Sequence, residues 1–323
     1  MQRYGLLGPN HCTSKKKMKK FAFFLTALFV GLVASAQETY RFAERDTCSL
    51  YLDIYRPAAG APVEFQGKKK PTVMFVFGGG FVSGHRSDKF IIPWFNLLTE
   101  DGYNVVAIDY RLGMKGYEMG KGFSGILKAS DRFLLAQQVG VEDVFSAVSF
   151  LAQNPDLGID VNNLVISGSS AGAIISMAAE YDIVNGNASG LPADFNFKGV
   201  MSFAGAVIST NGAPKYQKAP CPTLMLHGTA DKAVAYKSLG LFGRGIWGSS
   251  YIAGKLAKNG WEHCIYRFKD RSHDVAAYMY WLWSIEKEFL EQNVIMGSGR
   301  TVDALVDDPA LPTWGNVSLD DIY

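Results

Sequence analysis

A serine flanked by glycines, directly after a short apolar run, is the first side chain in this sequence with the setting of a nucleophile. Residues 167–172 read Ser-Gly-Ser-Ser-Ala-Gly, which is the pattern G-x-S-x-G with Ser170 at its centre. A sharp strand-to-helix turn has room only for small neighbours, so Gly168 and Gly172 allow the Ser170 hydroxyl to project at the mouth of a sheet. The start of the following helix favours negative charge nearby. The pattern predicts a nucleophilic serine, and an ordinary glycine-rich turn is the alternative.

A serine hydroxyl is a weak nucleophile until a base takes its proton, and a histidine held by a carboxylate supplies that base. Of the five histidines, His273 lies after the last apolar run and before the last helical pattern, where a base is expected. His227 lies nearer Asp231, and we expect it to make local hydrogen bonds. Asp231 itself follows the apolar run that ends at Leu226. The order Ser170, Asp231, His273 is the one expected after such a serine turn, so these three are the predicted nucleophile, acid and base.

A second glycine-rich segment, residues 77–81, reads Phe-Gly-Gly-Gly-Phe and follows another apolar run. Glycines can turn backbone N–H groups towards an incoming carbonyl oxygen, which is the requirement for an oxyanion hole. A dinucleotide-binding loop needs G-x-G-x-x-G, but here the glycines fall at 78, 80 and 84. We therefore expect no nucleotide cofactor, and the cysteine spacing fits no zinc site.

These residues need a scaffold, and the apolar patterning indicates an α/β fold. Short unbroken apolar runs are typical of parallel strands buried on both faces, and the half-buried strand Leu50–Tyr55 precedes them. The runs are Val73–Phe77, Val105–Ile108, Leu164–Ile166, Val200–Phe203, Leu224–Leu226 and Ile265–Phe268. Helical periodicity occurs in Ile91–Leu98, Val141–Leu151, Ala171–Ala179, Tyr251–Leu256 and Val275–Leu290. The prediction is a mostly parallel sheet flanked by helices on both faces, with ligands bound beyond the carboxyl ends of its strands.

Taken together, these motifs resemble the α/β-hydrolase family, in particular its carboxylesterases of hormone-sensitive-lipase and feruloyl-esterase type. The resemblance covers about residues 50–290. It depends on residues 52–57 (Leu-Asp-Ile-Tyr-Arg-Pro), the three glycines, residues 106–112 (Val-Ala-Ile-Asp-Tyr-Arg-Leu), the serine turn, residues 227–231 (His-Gly-Thr-Ala-Asp) and His273.

The resemblance implies that Ser170, Asp231 and His273 form a catalytic triad. It also implies that the N–H groups of Gly79, Gly80 and Ala171 form the oxyanion hole, with no cofactor and no metal. One position departs from the family: Phe77 stands where His-Gly-Gly-Gly usually has its histidine. Because that histidine resembles a loop brace, the substitution bears on the shape of the loop more than on activity.

The implied function is hydrolysis of carboxylic esters with short or compact acyl groups. A carbohydrate-linked ester carrying acetyl or feruloyl groups is one substrate considered, because six Trp and 15 Tyr include enough aromatics to line a sugar groove, although most pack in a core of this size. The alternatives are a serine peptidase of the oligopeptidase kind, for which we expect a further large domain, and a catalytically silent binding protein, which we expect to lack a triad residue. Oligomeric state is left open.

Composition and charge set the class and the compartment. The 323 residues are 48% hydrophobic and 19% charged, as in a folded globular protein. Residues 1–36 hold six of the 32 basic residues and no acidic one, which leaves 26 basic against 30 acidic residues in the remainder. That balance predicts no nucleic-acid partner.

The N-terminal segment has the order of a secretory signal peptide: lysines at 19 and 20, an apolar run of 13 residues from Phe21 to Val33, then Ala-Ser-Ala. We expect a leader over residues 1–36, with the signal proper at 18–36, cleavage before Gln37, and an exported protein, periplasmic or extracellular. A membrane anchor is the alternative; it needs about 20 apolar residues.

The expected organisation is one catalytic domain over residues 37–295 followed by an acidic tail, residues 296–323, which is either loose or a strap over the surface. Between strands, residues 205–222 are too short for a helical cap and residues 113–140 are long enough for a side wall, so the cap is expected to be minimal. Three cysteines remain after the leader, and the alternatives are free thiols or a Cys221–Cys264 disulfide with Cys48 free.

Overall fold

The computed structural model describes residues 37–118, 120 and 122–314. The predicted leader, residues 1–36, and the end of the acidic tail, residues 315–323, lie outside these ranges. No helix among the described residues is both long enough and apolar enough to cross a membrane.

A mostly parallel sheet forms the centre of the fold, as the apolar runs predict. Its nine strands lie in the order β1-β2-β6-β5-β7-β8-β10-β13-β14, with β1 and β2 antiparallel to their neighbours and every other pair parallel. The strands from β5 to β10 are buried because helices cover both faces. Their bounds are β1 Glu38–Arg45, β2 Cys48–Tyr55, β5 Thr72–Val76, β6 Asn104–Ile108, β7 Leu164–Ser169, β8 Gly199–Phe203, β10 Thr223–Gly228, β13 Cys264–Phe268 and β14 Val302–Val306. A separate short hairpin pairs β3 Glu64–Phe65 with β4 Lys68–Lys69.

Among the described residues, five α-helices pack around the sheet. They are α1 Ile92–Glu100, α2 Gly122–Gln153, α3 Ala171–Val184, α4 Ser249–Lys258 and α5 Trp283–Glu288. Helices α2 and α3 pack against each other. Helix α1 is joined to α5 by a buried hydrogen bond of 2.6 Å from the Trp94 indole to the Glu286 carboxylate.

Helix α2 is much longer than the predicted Val141–Leu151, because it continues on the N-terminal side through Gly140 to Gly122. Gly140 lies inside the helix, and a Cβ there would be 2.5 Å from Cδ1 of Ile175 on α3. Gly113 plays a similar part on the other side, since its Cβ would be 2.6 Å from Cα of Ala136. Glycine is therefore needed at both positions for close approach of neighbouring elements and not to end a helix.

The single helix predicted over Val275–Leu290 is wrong. A 3-10 turn covers His273–Ala277, α5 covers Trp283–Glu288, and a π-helical segment covers Phe289–Ile295. The apolar spacing marked the buried face correctly, since Leu282 and Phe289 are both buried. It could not show that the backbone changes its hydrogen-bonding pattern along that face.

A small antiparallel sheet lies between the ends of the parallel strands and α2. It consists of β9 Ala206–Ser209, β12 Arg244–Gly248 and β11 Ser238–Leu241, in the order β11-β12-β9. The buried Gln137 side chain of α2 accepts from the Ile208 N–H (2.9 Å) and donates to the Ile208 carbonyl (3.1 Å), so it extends the pairing as another strand would. Residues 205–222 thus contain a strand and no helix, and residues 122–140, part of the segment expected to form a side wall, lie in α2.

The C-terminal segment takes part in the fold beyond the predicted boundary at residue 295. Strand β14 pairs in parallel with β13, and Asp303 forms an ion pair of 2.6 Å with Arg267. Residues 307–314 then run past the histidine turn, where Arg271 donates to the Asp308 carbonyl at 2.8 Å. Cys48, Cys221 and Cys264 carry free thiols, so the Cys221–Cys264 disulfide is not formed.

Candidate active site

Ser170 occupies a strained turn between β7 and α3. Its backbone has φ 52° and ψ −116°, a conformation that non-glycine residues rarely adopt. A Cβ at Gly168 would lie 2.3 Å from the Gly172 carbonyl oxygen, and a Cβ at Gly172 would lie 2.0 Å from the Val76 carbonyl oxygen. Both glycines are therefore sterically required, which is the physical basis of the G-x-S-x-G pattern.

The structure brings the three predicted triad residues together in one line of hydrogen bonds. Ser170 Oγ lies 2.8 Å from His273 Nε2, and His273 Nδ1 lies 2.7 Å from Asp231 Oδ2. All three side chains are nearly buried, with exposed fractions of 7%, 9% and 8% for Ser170, His273 and Asp231. This arrangement can remove a proton from the serine and stabilise the resulting imidazolium.

The neighbouring strands explain how residues distant in sequence meet. Ser170 follows β7, Asp231 follows β10 and His273 follows β13, and in the sheet β8 lies between β7 and β10. These strands are parallel, so their carboxyl ends lie along one edge of the sheet. Short loops from that edge are enough to place all three side chains at one point.

The Asp231 carboxylate accepts three hydrogen bonds and lies beside a second histidine. Oδ1 accepts from the N–H groups of Ala233 and Val234, both at 2.9 Å. Oδ2 accepts from His273 and lies 3.2 Å from Nε2 of His227. Burial alone raises the pKa of Asp231, but the hydrogen bonds from His227 and His273 outweigh it and lower the pKa below its ordinary value. The carboxylate is therefore ionised at neutral pH.

The serine turn and the histidine turn are tied together by a side chain that the sequence analysis did not single out. Ser169 Oγ donates to the Ala276 carbonyl at 2.6 Å, which joins the end of β7 to the 3-10 turn that carries His273. The Ser170 N–H donates to the Phe203 carbonyl at 2.8 Å. These two bonds fix the serine relative to its base.

The glycine loop lies directly against the serine turn. A Cβ at Gly78 would be 3.0 Å from the Ser169 carbonyl oxygen. Gly79 has φ 109°, and a Cβ there would be 2.2 Å from the Ser83 carbonyl oxygen, so only glycine fits. Gly80 also has a positive φ, 63°, and Ala171 is the first residue of α3. The three residues named for the oxyanion hole thus belong to two segments that meet at Ser170.

Phe77, which replaces the family's histidine, braces this loop by packing. Its ring lies 4.5 Å from that of Tyr110, centroid to centroid, and the Tyr110 hydroxyl donates to the Phe77 carbonyl at 3.1 Å. Gly84 closes over the same ring, since a Cβ there would be 2.5 Å from Phe77 Cδ2. An aromatic contact and a backbone hydrogen bond therefore hold Phe77 at the start of the glycine loop.

An ion-pair cluster anchors the chain that leaves the glycine loop. Arg86 Nε lies 2.9 Å from Asp53 Oδ2, and Arg86 Nη1 lies 2.7 Å from Asp109 Oδ2. Asp53 is fully buried on β2, and Asp109 follows β6. Two strands of the sheet thus hold the loop through one guanidinium. Asp53 and Asp109 belong to two of the motifs on which the family resemblance depends, residues 52–57 and 106–112. No local sequence pattern pointed to Arg86.

Comparison with known proteins places these features in a family context. The model of the Carboxylesterase family matches residues 9–182, which is more than half of the chain and includes both the glycine loop and the serine turn. The chain is 28% identical over 166 residues to a chlorogenic acid esterase of Aspergillus niger, and 31% identical over 144 residues to human dipeptidyl peptidase 8. These alignments cover 51% and 44% of this chain. They span only 27% and 15% of the two relatives.

Among solved structures, an esterase of the planctomycete Thermogutta terrifontis, Est2, has a TM-score of 0.55 with this chain at 21% identity. The superposition covers 82% of this chain and 95% of that one. The similarity shows that the two chains share a fold.

Proposed function

The chain belongs to the carboxylesterase family, and from this premise we propose that it hydrolyses carboxylic esters through a covalent acyl-enzyme on Ser170. The observation that carries the proposal is the continuous line of hydrogen bonds from Ser170 through His273 to Asp231, with contacts of 2.8 and 2.7 Å. Folding does not require that the Ser170 hydroxyl lie against a histidine nitrogen in a strained turn. Nucleophilic catalysis does require this geometry.

The mechanism follows from the order of the contacts. His273 Nε2 takes the Ser170 proton as Oγ attacks the ester carbonyl carbon, and Asp231 stabilises the imidazolium that forms. The N–H groups of Gly79, Gly80 and Ala171 are proposed to receive the negative charge on the carbonyl oxygen, aided by the start of α3. His273 then gives the proton to the leaving alcohol, and the C–O bond breaks to leave the acyl group on Ser170. A water deprotonated by His273 releases the acid and restores the serine.

The proposed substrates carry short or compact acyl groups. Residues 205–222 form a strand and no helical cap, so this segment provides no packed helices to cover a long acyl chain. At about 0.8 kcal/mol per buried CH₂, extra methylenes gain binding only where such surface exists. The relative from Aspergillus niger is a chlorogenic acid esterase, which makes chlorogenic acid a substrate to test beside acetyl and feruloyl esters of sugars.

We also propose that the protein is exported after cleavage before Gln37. The support is the order of positive, apolar and small residues within 18–36, which a secretory signal has. N-terminal sequencing of the mature protein tests this, and a chain that keeps Phe21–Val33 in the membrane fraction would show that the segment is an anchor.

The test of activity is labelling with a fluorophosphonate followed by peptide mapping. We expect one label per chain at Ser170, none on Ser170→Ala, and loss of ester turnover in Ser170→Ala and His273→Ala. Ser238→Ala is the control, because that serine is exposed on β11. Dipeptide p-nitroanilides serve as comparison substrates because of the dipeptidyl peptidase 8 relative. Label on another residue of a folded sample, or faster cleavage of the anilides than of any ester, would overturn the proposal.

A further inference from the structure

A second imidazole, His227, lies against the same carboxylate oxygen as the triad histidine. It is the penultimate residue of β10, four residues before Asp231, and it is fully buried. Its Nε2 lies 3.2 Å from Asp231 Oδ2, the atom that also accepts from His273. Few buried polar side chains are placed next to a catalytic group without affecting it, because electrostatic interactions are stronger in a water-poor interior.

The contacts of His227 place a proton on Nε2. This nitrogen is hydrogen-bonded to the Val234 carbonyl oxygen at 3.1 Å and lies 3.2 Å from Asp231 Oδ2, and both oxygens are acceptors. Nδ1 lies 2.8 Å from the Ser249 hydroxyl, whose oxygen is 3.1 Å from the Gly205 carbonyl oxygen. The ring is thus held at both nitrogens and cannot turn away from the carboxylate without losing a buried hydrogen bond.

The carboxylate gains a complete set of donors from this arrangement. An ionised carboxylate has about four acceptor sites, and Asp231 uses two on Oδ1 for the Ala233 and Val234 N–H groups. His273 uses one on Oδ2, and His227 Nε2 lies 3.2 Å from the same oxygen, within reach of the remaining site. Without His227, Oδ2 would face His273 alone, and a buried site on the oxygen would be left unpaired.

We infer that His227 is a positioning residue of the triad: it donates its Nε2 proton to Asp231 Oδ2 and so keeps that oxygen aimed at His273. The inference rests on the proposed function, since it concerns a carboxylate that acts only if Ser170 reacts. It assigns a role in the reaction to a histidine that does not touch the serine. His227 also links the acid to the wall beside the site, because Ser249 begins α4 and Gly205 precedes β9.

The other groups around His227 do not supply the same contact. Arg267 is its neighbour in register on β13, but that guanidinium bonds Asp303 at 2.6 Å. The Tyr236 ring lies 5.6 Å from the His227 ring at 71° and presents its hydroxyl to Arg267. The charged groups facing His227 are therefore Asp231 and, beyond it, His273, while Arg267 is paired elsewhere.

Two amide substitutions distinguish the contact that Nε2 makes with Asp231 from the contact that Nδ1 makes with Ser249. Gln at position 227 places an N–H where Nε2 is and keeps the donor to Asp231, whereas Asn reaches only as far as Nδ1 and keeps the contact with Ser249. We expect His227→Gln to retain kcat within about 3-fold of wild type. We expect His227→Asn to lower kcat about 10- to 100-fold with little change in KM, which is the size of a lost hydrogen bond to a charged group. His227→Phe, which has neither end, should resemble Asn if it folds.

The pH profile adds a readout that a merely structural role would not move. Loss of the second donor leaves more of the Asp231 charge facing the His273 ring, so we expect the acid limb of kcat/KM to move to higher pH in His227→Asn but not in His227→Gln. Equal kcat in the Gln and Asn variants, or an unmoved acid limb in Asn, would overturn the inference even if one of them is less stable.

A measurement without turnover separates this inference from the proposed function. The low-field proton NMR signal of the His273 Nδ1–H bonded to Asp231 should be present in wild type and His227→Gln, and shifted in His227→Asn. If wild type hydrolyses no ester but this pattern is seen, the proposed function fails and the positioning contact stands. If wild type is active and the signal is the same in all three proteins, the positioning role fails alone.

Discussion

The buried carboxyl of Glu180 should make the stability of this protein depend on pH across the neutral range. Glu180 lies on α3, the helix that starts at the reactive serine, and it is only 2% exposed. Burial raises its pKa from 4.5 to about 7, although a hydrogen bond of 2.7 Å from the Cys221 N–H acts in the opposite direction. The group therefore ties the nucleophile's helix to the segment that enters β10.

The size of the effect follows from that shift. Between an unfolded value of 4.5 and a folded value of about 7, at about 1.4 kcal/mol per pKa unit, the cost of ionising Glu180 in the fold is about 3 kcal/mol. Because the folded chain binds this proton more tightly than the unfolded chain, the stabilisation is complete below pH 4.5 and is lost as pH rises through 7. Glu180→Gln keeps an oxygen for the Cys221 N–H and has no charge to bury. The variant should match wild type within about 1 kcal/mol at pH 5 and exceed it by about 3 kcal/mol at pH 8.

Urea unfolding at pH 5, 6, 7 and 8 measures this difference directly. Glu64→Gln is the control, because Glu64 is exposed on β3 and its loss should not change the pH dependence. A difference between Glu180→Gln and wild type that stays constant from pH 5 to 8 would show that Glu180 does not change its protonation on unfolding, and the reasoning from burial would be refuted.

Four further outcomes can be checked. Asp231→Asn keeps the oxygen that accepts two N–H groups but presents an amide donor to the triad histidine, so kcat should fall about 10⁴-fold by favouring the wrong tautomer; near-full activity would mean that another carboxylate orients it. Gly172→Ala should cost at least about 3 kcal/mol in urea unfolding, because its Cβ would lie 2.0 Å from the Val76 carbonyl oxygen. Gln137→Leu should cost about 1–3 kcal/mol by leaving both backbone groups of Ile208 unpaired, measured as a lower Tm. Values of kcat/KM for acetate, butyrate, octanoate and palmitate esters should fall with length, and a maximum at octanoate or beyond would reveal an apolar tunnel.

Several helices and strands could not be predicted from the sequence, because their local residue patterns fit more than one structure. The helix predicted over Val141–Leu151 begins just after Gly140, whereas α2 continues through that glycine. The sequence does not show that Ile175 occupies the space that a Cβ at Gly140 would need. Strand β14 has alternating half-buried and exposed residues in an acidic segment, and only its pairing with β13 makes it a strand. The hairpin of β11 and β12 was missed for the same reason: its first strand is exposed along its whole length.

The sequence by itself determined the fold class, the strands that form the centre of the sheet, and the order of the serine, aspartate and histidine along the chain. Those features are encoded locally, because an unbroken apolar run, a helical period and a glycine beside a serine each constrain their own backbone. Only the tertiary structure decided the contacts between segments far apart: Ser169 on the Ala276 carbonyl, Gln137 on Ile208, and Phe77 stacked on Tyr110. The physical reason is that such contacts depend on the register and packing of the elements. Many sequences are compatible with the same backbone hydrogen bonds, so local patterns do not specify these contacts. His227 lies at the boundary: its spacing from Asp231 was visible in the sequence, but the direction in which its Nε2 points was not.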